Sequence, residues 1–413
     1  MQNDHPTQPI SELLADRQTR LNGLGPRSFS GLGLLGISGF AAAIGLTLAC
    51  TDGWRYFFHS YLLSYCFVLS ISLGALFFVA LQHATRAGWS VVVRRLAEFL
   101  AANVPCLVIL FLPILIPVLL DNSILYKWAS RSIINSDELL RHKAPYLDAT
   151  FFAFRAVGYF FVWWMLSQFF LTRSLEQDHT KDIGETLRME RWSPLAIILF
   201  AGTMTFASID WLMSLSPSFY STIFGLYFFA GSLVAVIAAL ILVALVLQAA
   251  GRLAHVITAE HYHDLGKLLF TFVVFWGYIA FSQYLLIWYA NIPEETQWYA
   301  VRQAGDWKWV AIVLVAGNLL IPCVGLLSRH VKRQKYLLGF WAVWLLVMHW
   351  IDLYWIVMPN LGVEKLSFHL MDICLLLGMI GIYGASLIRT AGNNSLVPLA
   401  DPRLGESLTF ENI

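Results

Sequence analysis

Charge is scarce in this chain: of 413 residues only 13% are Asp, Glu, Lys or Arg, while 58% are hydrophobic. With a mean hydropathy of +0.65, that balance excludes an ordinary soluble domain and points to a polytopic membrane protein. Cysteine is also sparse. Cys50, Cys66, Cys106, Cys323 and Cys374 stand singly in apolar runs, with no metal-ligand spacing, which argues against iron–sulfur clusters and structural zinc and for buried thiols. Haem b needs axial ligands at matching depth on facing helices, but only His349 lies deep in a span, whereas His59, His83 and His369 lie near ends. No glycine-rich nucleotide loop or nucleophile motif is present. The first residues carry Asp4, Glu12 and Asp16 and do not read as a signal peptide. No basic cluster suggests nucleic acid, and a net charge of +1 selects no class of partner.

What is present is a series of apolar segments about 20 residues long, the length that crosses ~30 Å of hydrocarbon. They lie near 29–50, 57–82, 96–120, 150–172, 193–213, 219–249, 265–291, 308–328, 336–357 and 368–389. The fold expected is all-α and integral to the membrane, with about ten transmembrane helices. Eighteen of the 27 Lys and Arg residues fall on one side of that arrangement and eight, Lys365 among them, on the other, with Arg155 inside a span. The asymmetry places both termini in the cytoplasm. Residues 1–28 then form a cytoplasmic N-terminal segment, 29–390 the polytopic membrane domain and 391–413 a cytoplasmic tail. Three connections are long: 121–149 and 292–307 outside, and the charged run 173–192 inside.

A phrase occurs twice. Ile209-Asp210 is followed by Pro217, and Ile351-Asp352 at the same distance by Pro359; at this offset of 142, Arg191 also falls on Arg333. Leu96-Ala97-Glu98 aligns with Leu265-Gly266-Lys267 at an offset of 169. Duplicated bundles are common in membrane proteins. The expectation is two parallel four-helix bundles, helices 2–5 (about 57–213) and helices 6–9 (about 219–357), with helices 1 and 10 peripheral.

An ionisable side chain inside hydrocarbon costs roughly 2.5–3.5 kcal/mol even on a lenient scale, so it faces a partner or a polar cavity. Asp210 and Asp352 occupy the outer thirds of helices 5 and 9, and Arg155 lies at a similar depth in helix 4. The simplest structural reading is an Arg155–Asp210 ion pair; the functional reading is a polar path or site near the outer surface. His349 and Asp352, three residues apart, share a helix face with Trp355. They read either as a satisfied hydrogen-bonded pair or as a proton-exchanging one. His369 and Asp372 repeat that spacing at the start of helix 10. Tyr284, Glu294 and Glu295 surround the outer end of helix 7, as an interfacial belt or a proton exit. Glu98 and Lys267 would mark the inner ends of two half-channels, with Tyr61, Ser72, Thr203, Gln283 and Asn318 among the intermediate groups.

Several stretches carry a resemblance. Phe206-Ala207-Ser208-Ile209-Asp210-Trp211-Leu212-Met213, PSFYSTIFGLYFFAGS at 217–232, DLGKLLFTFVVFWGYIAFSQYLLIWYANIPEET at 264–296 and HWIDLYWIVMPN at 349–360 resemble the F membrane subunit of bacterial alternative complex III. That subunit belongs with the NrfD and polysulfide-reductase membrane subunits. The resemblance implies a cofactor-free subunit of a respiratory quinol:cytochrome c (or oxidase) oxidoreductase complex in a bacterial inner membrane. It implies as partners a paralogous quinol-binding membrane subunit, an iron–sulfur subunit, c-type haem subunits, a terminal oxidase and lipids. The small molecule it implies is a quinone or quinol, menaquinol or ubiquinol, together with a role in proton translocation. Matching positions are Asp210, Tyr284, Glu294, Glu295, His349 and Asp352; Arg155 is added from depth and charge. The competing classes are a proton- or ion-coupled secondary transporter and a purely structural anchor.

Overall fold

The structure, a computed structural model, describes residues 14–21, 24–50, 53–362, 366 and 368–412. Asp4, Glu12 and Lys365, and the side chains of Asp16 and Arg17, lie outside the described residues. Among the described residues there is no strand, and ten helices are long and apolar enough to cross a membrane. They are α1 (Leu24–Ala49), α2 (Gly53–Ala84), α3 (Val91–Leu119), α4 (Ala149–Thr180) and α5 (Ile183–Leu215), followed by α6 (Phe224–Ala249), α7 (Ala259–Ala290), α8 (Trp307–Gly325), α9 (Lys335–Leu361) and α10 (Leu370–Ala391). The chain is an all-α, multi-pass membrane protein.

Helices α2, α3, α4 and α5 pack in a ring, and α6, α7, α8 and α9 close a second ring beside it. The two rings meet where α6 lies along α2 and α5 and where α9 touches α2. The most apolar stretch of α2 is 94% buried and that of α6 72%, against 22% for α1; α2 and α6 therefore form the interior, and α1 lies at the periphery. Where both solvents are apolar, association depends on close packing rather than on expelling water. The α1–α10 pair shows it: a Cβ at Gly39 would meet the backbone of Gly378 at 2.7 Å, and one at Gly381 the backbone of Gly36 at 2.4 Å. Glycine there lets the two helices touch main chain to main chain.

The charged run 173–192 is not a loop. α4 continues to Thr180 and α5 begins at Ile183, with Lys181 in the left-handed turn between them. The charges settle on these helix ends as pairs: Glu185 meets Arg173 at 3.2 Å and Arg188 at 2.6 Å. Both helices thus stand out past the apolar layer. Two other spans are broken. α3 stops at Ala101 and restarts at Val104, with Pro105 in the first turn of the second piece, because a proline there lacks the N–H that a continuous helix would use. α8 contains a π-helical turn over Val315–Leu320. The Gly317 carbonyl in that turn accepts from Trp344 Nε1 at 2.7 Å.

Two caps cover the ends. At the end carrying Asp210 and Asp352, residues 120–148 fold over the first ring with Tyr126 and Trp128 buried, and the helix Pro293–Gln303 covers the second. At the opposite end, residues 392–412 fold back across α3, α4, α5 and α7 through side-chain contacts described below.

Candidate functional site

In the first ring Asp210, on the last helical turns of α5, is fully paired. Arg155 of α4 donates from Nε to Oδ2 at 2.7 Å and from Nη2 to Oδ1 at 3.0 Å, while the Tyr159 hydroxyl adds a bond to Oδ2 at 2.7 Å. The third guanidinium nitrogen donates to the Tyr146 carbonyl at 3.0 Å, and the guanidinium lies over the rings of Tyr146 and Phe151 at 4.1 and 4.3 Å. A bidentate pair with a further hydrogen bond to each partner is the geometry that compensates the desolvation of two charges. Arg155 and Asp210 thus form a static clamp between α4 and α5. Next to it the Tyr126 hydroxyl donates to the Trp211 carbonyl at 2.9 Å, which ties the cap to the end of α5.

The equivalent carboxyl of the second ring has no cation paired to it among the described residues. Asp352 accepts at Oδ1 from the Tyr227 hydroxyl of α6 and at Oδ2 from Trp276 Nε1 of α7 at 3.2 Å. Both donors are neutral, and the carboxyl is 2% exposed. The His349–Asp352 pairing read from their spacing does not form. His349 turns instead to α2, where its Nε2 lies 2.9 Å from Ser70 Oγ. Ser70 gives its one hydrogen to the Phe67 carbonyl at 2.7 Å, so in the neutral ring Nε2 carries the proton and Nδ1 the lone pair. That Nδ1 is buried without a hydrogen-bond partner. Gly231 of α6 lies against both groups: a Cβ there would stand 3.0 Å from His349 Nδ1 and 3.9 Å from Asp352 Oδ2. The missing side chain keeps a gap between the two polar atoms that any larger residue would fill.

Above this carboxyl lies Arg302, which the sequence assigns only to an outer loop. The helix Pro293–Gln303 folds it inward, where it is 2% exposed and donates to the carbonyls of Trp355 at 3.1 Å, Ile356 at 2.7 Å and Trp298 at 3.0 Å. Its guanidinium lies 3.6 Å from the Trp298 ring centre. Burial pushes its pKa down to about 9, while the nearby phenols of Tyr299 and Tyr227 pull the other way; at neutral pH it remains a cation. A cation on the final carbonyls of α9 sits at the negative end of that helix, where it is stabilising.

Between α7, α8 and this cap is a cavity of about 270 Å³. Tyr227, Trp276, Tyr284, Tyr299 and Trp355 form its aromatic wall, and Leu314, Val315 and Leu319 of the π-turned α8 form the facing one. Among the described residues no lining side chain is charged. Tyr227 and Trp276, the two donors to Asp352, both lie on this wall.

The remaining predicted residues lie apart from this centre. Tyr284 joins the cavity, packed edge-on against Tyr299 with ring centres 5.2 Å apart. Glu294 is exposed and Glu295 half-buried in the first turn of the cap helix, at its positive end. His369 and Asp372 form a capping box at the start of α10, and Asp372 also accepts from the Tyr56 hydroxyl at 2.6 Å; this fixes α10 against α2. Glu98 and Lys267 are not comparable ends of two channels. Glu98 is buried between Arg95 at 3.0 Å and Arg94 at 3.5 Å, whereas Lys267 is exposed beside Asp264 and Asn412.

The charged cluster at this end extends beyond Glu98. Arg95 reaches Asp178 at 2.9 Å and the Ser395 carbonyl at 3.3 Å, and Arg94 pairs with Asp401. Glu190 holds Arg403 at 2.7 Å and Arg86 at 3.1 Å. Thus residues 395–403 plug the end of the first ring opposite Asp210 with ion pairs. His83 is buried there, its ring stacked on Phe170, rather than at the water boundary its position in the sequence suggests.

Tyr227, Trp276, Ser70, Gly231 and Arg302 escape sequence reasoning. Aromatic and small residues in apolar spans read as packing, and the only signal for Tyr227 was its place in the long phrase at 217–232. Among the described residues no group of three His, Cys, Asp or Glu side chains is arranged to hold a metal ion. No family model and no curated protein matches the chain.

Proposed function

We propose that this chain is a membrane subunit of a respiratory quinol:cytochrome c (or oxidase) oxidoreductase complex, lying in a bacterial inner membrane with both termini cytoplasmic. In this reading it works beside a paralogous quinol-binding membrane subunit, an iron–sulfur subunit, c-type haem subunits and a terminal oxidase, and holds no redox cofactor of its own. The sequence resemblance at 206–232, 264–296 and 349–360 supports the family of complex. The observation that carries a functional role, beyond an anchor, is the difference between Asp210 and Asp352. A carboxyl held by two neutral donors can take up or release a proton without breaking an ion pair, which Asp210 cannot do. Asp352 is then the proton-exchanging group of the subunit, with Tyr227 as the hydroxyl through which a proton reaches it from the cavity side.

The test is purification from the native membrane in mild detergent, followed by a redox spectrum and quinol-dependent cytochrome c reduction. Haem absorbance with quinol oxidation, and a loss of turnover or of proton stoichiometry in Asp352→Asn, are the expected results. A colourless homo-oligomer without that activity overturns the reading in favour of a transporter. Unchanged turnover and stoichiometry in Asp352→Asn leaves only the anchor.

A further inference from the structure

The end of the second ring opposite Asp352 carries cations that its neighbouring acids do not balance. Arg333 donates to both carboxylate oxygens of Glu260, and Lys267 pairs with Asp264 and also donates to Asn412 Oδ1 at 2.7 Å. Arg329 and Lys332 are left without a carboxylate partner among the described residues.

An excess of Lys and Arg at one end of a membrane protein meets a topological need that any exposed position satisfies. Lys332 is placed more narrowly. Its stem crosses α7 at Gly266, where an added Cβ would stand 2.8 Å from Lys332 Cγ, and its ammonium lies 5.6 Å from the ring centre of Phe270, one turn further along α7. The cation is thus turned along the helix toward hydrocarbon instead of outward into water. Burial and the charge of Lys267 both push its pKa down, a load that an anion between the two ammonium groups would relieve. The charges of Arg329, Lys332 and Lys267 also act on His263, which is 8% exposed. Its Nδ1 is buried with no hydrogen-bond partner, although buried polar atoms are normally satisfied.

Apolar surface continues from this point into the bilayer. Lys267, Thr271, Val274 and Tyr278 stand on one exposed face of α7 at helical spacing. α8 runs beside them: Leu319 packs against Gly277, and towards the end of the helix Val324 is 75% and, just past it, Leu327 66% exposed. A cationic position at the head of an apolar groove matches a phospholipid of net negative charge. A soluble anion would use only the first half of this arrangement, and a neutral lipid only the second.

We propose that this place binds an anionic phospholipid, its phosphodiester held by Lys332, Lys267 and Arg329 and an acyl chain lying along the exposed face of α7 beside the end of α8. Binding here depends on this chain's own residues and not on the respiratory setting proposed above.

The test uses the protein as purified, reconstituted in phosphatidylcholine nanodiscs with a small fraction of phosphatidylglycerol that carries a photoreactive group in its acyl chain. Label mapped by mass spectrometry is expected on 267–278 and 320–327. Unlabelled phosphatidylglycerol should compete, and neither phosphatidylcholine nor inorganic phosphate should. Lys332→Gln and Arg329→Gln should each weaken binding about fivefold, and the double variant about twentyfold. Lys332→Arg should retain binding, and Lys308→Gln, exposed at the opposite end of α8, should leave it unchanged; thermal unfolding selects the variants that fold. Equal labelling by a phosphatidylcholine probe, competition by inorganic phosphate, or undiminished binding in the folded double variant overturns the proposal. So does a companion subunit cross-linked to 329–335 in the same preparation, which would make the cluster a protein interface.

Discussion

The two rings place a carboxylate at corresponding points of a repeated phrase and then treat it differently. Asp210 has a guanidinium and a phenol; Asp352 has a phenol and an indole. In the first ring the arginine comes from the helix that packs beside the carboxylate. In the second, the arginine comes from the cap, stays on main-chain carbonyls, and leaves the carboxyl facing a cavity wall. The same architecture thus yields one rigid joint and one chemically open position.

That contrast can be tested in order of expected effect. Arg155→Ala should destabilise the protein by about 3–5 kcal/mol, because it strands a buried carboxylate, whereas Asp352→Asn should alter thermal stability by only about 1 kcal/mol, the cost of one weakened neutral hydrogen bond; equal losses would erase the distinction between the rings. Arg302→Met comes next, at about 3 kcal/mol, since hydrogen bonds to a charged group are the strong ones and the final α9 carbonyls would lose their donor. Denaturation followed by tryptophan fluorescence would measure it, and a neutral result would show that the cap helix does not hold the second ring. Tyr159→Phe, which removes a donor from an ion-paired carboxylate, should cost about 2 kcal/mol, against about 1 kcal/mol for Tyr227→Phe if Asp352 is protonated at the pH of the assay; repeating the pair at two pH values reads the charge of Asp352 directly. Ser216→Ala is among the smallest effects. Its hydroxyl donates to Asn360 Oδ1 at 2.5 Å, joining the ends of the two repeated phrases, and its loss should cost about 1 kcal/mol with no change in turnover.

Much of the scaffold was legible because hydrophobic length is a direct consequence of bilayer thickness. The Arg155–Asp210 joint was legible for a related reason: two opposite charges at one depth in hydrocarbon have few alternatives to each other. His349 and Asp352 misled because residues three apart on a helix diverge by about 60°, enough for one to reach α2 and the other α6 and α7. Arg302 was hidden by a short helix that doubles back, a tertiary event with no periodic signature. The run 173–192 looked like a loop because polarity was taken for irregularity, although its charges lie at spacings that pair along and between helices. The cavity had no sequence signal, since its wall is made of residues that equally fill ordinary cores.

The plug formed by residues 395–403 sets an order of events during synthesis. Arg94 and Arg95 enter the membrane assembly early, yet Asp401, the partner of Arg94, lies 307 residues further along the chain. Until that segment has been translated, Arg94 has only Glu98, whereas Arg95 already has Asp178 of α4. The first ring is therefore open at that end for most of translation, and it is locked only after α10 has been inserted. A ribosome stalled before that point would leave both rings made but the first one unclosed, with Arg94 short of one carboxylate partner.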